Sequence, residues 1–97
     1  GLYPHHWQNP LVPSFRAEVY VVLKPLVNDP TGLVIRDGLR HIGFNEVEGV
    51  RAGKYLTINL DAQDRVEAEV RVGEMCQKLL ANPVIEEFRF DVQAAVT

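Results

Sequence analysis

The nineteen residues Gly43 to Asp61, GFNEVEGVRAGKYLTINLD, constrain the fold more than any other stretch of this chain, because they switch the periodicity from helix to strand through a basic elbow. Gly43 can take the positive φ that closes a helix, whereas Leu56, Ile58 and Leu60 alternate with Thr57 and Asn59 as a half-buried strand requires. A helix must therefore precede this segment and a sheet must receive it. Between the two lie Arg51 and Lys54 around Ala52 and Gly53, a pair of cations suited to clamping a phosphate, meeting an acidic partner, or solvating a turn.

The flanking sequence supplies the remaining elements. Ala17, Val19, Val21 and Leu23 share one face of an extended run whose other face carries Arg16, Glu18 and Tyr20. Lys24-Pro25 ends that strand. Asn28-Asp29-Pro30 opens a helix, with Asp29 capping free amides and Pro30 at the first helical position, and the helix is expected to reach about Ile42. Its buried stripe is expected to be Ile35, Leu39 and Ile42, with Gly38 allowing close approach of a neighbour. Glu46 to Val50 can form a short strand before the longer one, with Arg51 to Lys54 as a hairpin loop or as a bend within one long strand.

Asp61-Ala62-Gln63-Asp64 places carboxylates at the start of a second helix, which runs to about Ala81 with Ala68, Val72, Met75, Cys76 and Leu79 on one side. Asn82-Pro83 stops it. A last strand then turns Phe88, Phe90 and Val92 inward and Glu87, Arg89 and Asp91 outward. With the elbow read as a hairpin, the order is the βαββαβ pattern of ferredoxin-like α+β sandwiches, two helices on one face of a small antiparallel sheet. The opposite face carries Tyr20, Val22 and Tyr55 among polar residues and suits a wet or partnered surface. The open strand edges invite pairing with a second copy.

Composition narrows the function classes. At 97 residues the chain makes one domain with a modest core, expected over residues 15–97, and no apolar run approaches the ~20 residues that span a bilayer. A net charge of −3 disfavours nucleic acid, whose binding rests on neutralising phosphates, and the outward strand positions lack the aromatic and basic pattern that stacks RNA bases. The single cysteine, Cys76, makes no intrachain disulfide and reads as a buried helix residue. Residues 1–14, with three prolines and no periodicity, read as an extension outside the fold and as an expression-vector remnant; His5 and His6 lack further ligands at metal-binding spacing.

A catalytic apparatus leaves no trace. The chain has no phosphate loop, CxxC pair, HExxH or GxSxG elbow, and Thr31, Thr57 and Thr97 have no evident base. Val47-Glu48-Gly49-Val50-Arg51 resembles the glycine-centred signature of acylphosphatases, but it follows the first helix and so cannot use that helix's N-terminal amides. A ligand-sensing domain of the ACT type shares the same element order and stands as an alternative, since fold does not fix function.

Three motifs in register go further: VVLKPLVNDPTG, GLRHIGFNEVEGVRAGKYLTINLD and EMCQKLLANPVIEEFRF. Together, over Phe15 to Val92, they resemble the small PurS-type subunit of phosphoribosylformylglycinamidine synthase, the ATP-dependent amidotransferase of purine synthesis. The resemblance implies a cytoplasmic, non-catalytic subunit that binds no cofactor itself, in a complex that uses ATP, Mg and glutamine. It further implies self-association as a dimer or tetramer. Such paired small subunits bridge a glutaminase subunit and a large synthetase subunit and assist ammonia transfer. Lys24, Arg51, Lys54 and Asn82 fall within the matching motifs and are assigned to subunit contacts, as is Tyr55 beside them; a solvated turn competes as the role of Lys54, and a plain helix stop as that of Asn82.

Overall fold

The computed structural model describes residues 12–95. Five main elements follow in the order β1 (Ser14–Leu23), α1 (Pro30–His41), β2 (Gly53–Asp61), α2 (Arg65–Met75) and β3 (Glu86–Ala94), with a π-helical turn, Cys76–Leu80, continuing α2. The expected strand boundary moves by one residue, because Ser14 already pairs with Asp61. His5 and His6 lie outside the described residues.

The first strand is the middle of the sheet. It pairs antiparallel with β2 on one side and β3 on the other, giving the order β2-β1-β3. The registers Val19↔Leu56 and Val19↔Phe90 align the apolar positions of all three strands on one face. Ala17, Val19 and Val21 are fully buried there, with Leu56, Ile58, Leu60, Phe88 and Phe90 packed around them. Helix α2 covers this face through Ala68 and Val72, and the π turn adds Cys76, all with no exposed surface.

Local chemistry sets the helix ends. The Asp29 carboxylate accepts the Gly32 amide at 2.9 Å and Pro30 opens α1. Gly43 adopts φ 111°, with its amide donating to Arg40 O and the Phe44 amide to Leu39 O, which is the Schellman closure. At α2 the Asp64 carboxylate accepts the Glu67 amide at 2.8 Å while Glu67 Oε1 reaches back to the Gln63 amide.

Two details depart from the expectation within this α+β architecture. Residues 46–50 form no strand, so β2 enters the sheet at Gly53 without a hairpin partner and the bent-strand alternative falls too. The reason is a competing tertiary contact: the Val50 carbonyl lies against the backbone of Gly32, and the Ala52 amide is taken by the Asp29 carboxylate at 2.7 Å. Helix packing is also unequal. Helix α2 lies on the sheet, whereas Gly32 alone is buried in α1; Ile35 is 43% exposed and Ile42 69%, and a Cβ at Gly38 would meet nothing within 4 Å. Among the described residues the expected α1 stripe is therefore only partly covered, with Leu39 half-buried and Ile35 and Ile42 exposed.

Candidate partner interface

One end of the sandwich collects four of the five residues singled out by sequence. Here β1 leaves the sheet, β2 and β3 enter it, and the π turn ends. The Lys24 amide donates to Ile85 O at 2.8 Å, and its carbonyl accepts the Val27 amide at 2.9 Å and Arg51 Nη2 at 3.0 Å. Lys54, opposite Val21, belongs to the inward face of β2, where its Nζ reaches past the sheet end to Leu80 O at 3.2 Å. That carbonyl belongs to the last turn of a helix, where acceptors outnumber intrahelical donors. Asn82 shapes the next turn: its Oδ1 accepts the Val84 amide at 3.0 Å, its amide donates to Glu86 Oε1 and its carbonyl accepts the Glu86 amide, both at 2.7 Å.

Asn82 thus shapes the turn that follows the helix, whereas Lys54 lies within β2 and secures a helix end instead of solvating a turn. Arg51, Lys54 and Asn82 nonetheless remain exposed. Tyr55 stands apart, on the open face of the sheet. Its ring centroid is 5.1 Å from that of Tyr20, over which the Arg89 guanidinium sits at 4.0 Å. Burial, followed by the hydrogen bond to Glu18, holds the Tyr20 phenol above its ordinary pKa.

Asp29 is the hub that sequence reasoning saw only in part. Its carboxylate is 4% exposed and accepts backbone amides from two segments, Gly32 and Ala52. These bonds, the Gly32 one foremost, hold its pKa below the ordinary value. The cap was legible in Asp29-Pro30; the second bond, to a residue twenty-three positions on, left no local signal.

The same end displays apolar side chains that the periodicity did not flag. Leu26 is fully exposed, Val84 is 77% exposed and Ile85 is 38% exposed, and the Lys24–Ile85 bond ties their loops together. Their signal was their position: Leu26 and Val84 each follow a proline in a turn and Ile85 comes next after Val84, outside any amphipathic pattern. Exposed apolar groups at the sheet end that also carries Arg51 and Lys54 have the make-up of a protein-binding surface. Among the described residues no three His, Cys, Asp or Glu side chains group to hold a metal, and no buried side-chain polar atom lacks a partner.

The family model described as PurS, phosphoribosylformylglycinamidine (FGAM) synthase, matches residues 16–94, which is every element of this architecture but for the first two residues of β1. The chain belongs to the PurS family. It is 44% identical over 82 residues to the FGAM synthase subunit PurS of Bacillus subtilis, covering 84% of this chain and 96% of that one. Its counterpart from Archaeoglobus fulgidus is 46% identical over 72 residues, covering 74% and 90%. Among solved structures, Bacillus subtilis PurS superposes with a TM-score of 0.74 over 81% of this chain and 98% of that one, at 44% identity. A chain of the Thermotoga maritima PurLQS structure does so with the same TM-score at 31% identity, covering 86% and 99%. PurS membership removes the basis for the ACT-type alternative. No helix among the described residues is long and apolar enough to cross a membrane.

Proposed function

We propose that this chain is the small, non-catalytic assembly subunit of an FGAM synthase complex in purine synthesis. It bridges a glutaminase subunit and a large ATP-dependent synthetase subunit and assists ammonia in passing between them, working in the cytoplasm as a dimer or tetramer. ATP, Mg and glutamine belong to the partners, and this chain binds no cofactor. The observation that carries the reading is the exposed end of the sandwich, which carries Arg51 and Lys54 as well as Leu26, Val84 and Ile85 on a backbone frame locked by Asp29 and Asn82. A rigid frame presenting apolar and cationic groups costs little ordering entropy on docking. The likeness to a chain of a PurLQS structure supports the same reading.

Reconstitution tests it. The two larger subunits are mixed with and without this chain, and both glutamine-dependent and ammonia-dependent turnover are measured. Glutamine-dependent turnover is expected to require the chain, and to fall on Arg51→Glu or Ile85→Asp substitution. Equal glutamine-dependent rates in its absence would refute the assignment.

A further inference from the structure

Leu26 is fully exposed, yet it stands on a turn held by three hydrogen bonds. The Val27 amide donates to Lys24 O at 2.9 Å, closing a β-turn with Pro25 at its first corner and Leu26 at its second, and the ring of Pro25 fixes one of the turn's dihedrals. The Lys24 amide donates to Ile85 O at 2.8 Å. Arg51 Nη2 donates to the same Lys24 carbonyl at 3.0 Å from 27 positions along the chain, so both lone pairs of that oxygen are used. Scattered surface leucines need no explanation, but this one is fixed by bonds that a merely solvated turn does not require.

The arginine that ties the turn from outside is itself held. Its neighbour Ala52 gives its amide to the buried Asp29 carboxylate at 2.7 Å, and the Val50 carbonyl lies against Gly32. Asp29 thus fixes the backbone of residues 50–52, and the Arg51 side chain carries that constraint across to the 24–27 turn. A guanidinium suits a strut, being planar, always charged and bound to the carbonyl through a charge-assisted bond.

We infer that Arg51 is a positioning residue for docking, holding the 24–27 turn so that Leu26 enters an apolar pocket of a larger subunit already ordered. The inference rests on the reading of the chain as an assembly subunit and assigns the anchor of that assembly. Val84 and Ile85, exposed on the loop that the Lys24–Ile85 bond joins to this turn, extend the same apolar contact. A leucine buried from a pre-ordered turn gains the full benefit of leaving water, because no mobile loop has to be immobilised first.

Hydrogen exchange on the full chain alone reads the strut. Arg51→Gln should lower the protection of the Val27 amide about fivefold, the effect of one lost hydrogen bond, whereas Leu26→Ala should leave that protection unchanged. Titration against the two larger subunits reads the docking: Leu26→Ala should weaken binding about tenfold or more and Arg51→Gln about fivefold. Because Arg51 acts through Leu26, adding Arg51→Gln to Leu26→Ala should weaken binding by no more than about twofold further. A guanidinium that touches the partner itself would give additive losses instead. Additive losses, or a Val27 amide as protected in R51Q as in the wild type, would overturn the inference and leave the assembly reading intact. A lighter particle of the chain alone on Leu26→Ala, seen by sedimentation, would place Leu26 between copies and overturn it equally. A wild-type chain that binds neither larger subunit would overturn the assembly reading itself, and the anchor with it.

Discussion

Replacing Gly32 by alanine should loosen the chain even though alanine is the better helix former. A Cβ built at residue 32 would stand 2.1 Å from the Val50 carbonyl oxygen and 2.9 Å from an Asp29 carboxylate oxygen. Comfortable contact begins near roughly 3.5 Å, so the helix start and the 50–52 segment must part by about 1 Å or more. That movement pulls the Ala52 amide away from the Asp29 oxygen it now meets at 2.7 Å. Overpacking of this kind costs about 1–3 kcal/mol, against a helix-propensity gain of at most about 1 kcal/mol that is smaller still in a first turn. The net is a local destabilisation of about 1–2 kcal/mol. Hydrogen exchange reads it directly: the Ala52 and Gly32 amides should exchange about tenfold faster in the variant, since each 1.4 kcal/mol is tenfold. Gly38→Ala is the matched control. Nothing lies within 4 Å of its Cβ, so it should stabilise α1 by up to about 1 kcal/mol. A G32A chain whose Ala52 amide is as protected as in the wild type would refute the argument that close backbone approach is why glycine stands there.

Asp29 should impose an acid limit on stability. Its folded pKa is depressed below the ordinary 3.8, so its contribution is present above that value and drains away as pH falls through the folded pKa; Asp29→Asn should flatten the slope of stability with pH in that window, read by urea melts across the acid range. Burial pushes the Cys76 thiol above its ordinary value of 9.0, so iodoacetamide at mildly alkaline pH should leave the native chain unmodified and label it fully in urea. Lys54→Met keeps the stem of the side chain but removes the Nζ bond to Leu80 O; a loss of about 0.5–1 kcal/mol is expected by denaturant titration, with faster exchange confined to the end of the π turn.

Much of the architecture could be read along the chain because its causes are local. The alternation of Ala17, Val19 and Val21, and of Phe88, Phe90 and Val92, places each side chain on the face it occupies. Asp29, Gly43 and Asp64 end or begin helices by chemistry confined to a few neighbours. Glu46 to Val50 misled for the opposite reason: its pattern permits a strand, but Val50 and Ala52 are claimed by Gly32 and Asp29, which no short window contains. Ile35, Leu39 and Ile42 have the spacing of a core stripe, and that spacing is silent on whether the covering surface belongs to the same molecule. Of the candidate partner-contact residues named from the sequence, Lys24, Arg51, Lys54 and Asn82 meet at one end of the sheet and Tyr55 lies apart, while the exposed Leu26, Val84 and Ile85 became visible only once the Lys24–Ile85 bond joined their loops.

The central position of β1 bears on how the chain is made. Synthesis runs from the amino end, so the strand that forms the heart of the sheet emerges before both of its partners, with β3 the later of the two. Until Phe88 and Phe90 leave the ribosome, Val21 and Val19 lack one lateral neighbour and the sheet is two strands wide, below the number that stands alone in water. Closing that long-range pair is the slow, high-contact-order step, and a nascent chain interrupted before β3 leaves its most apolar strand available for aggregation.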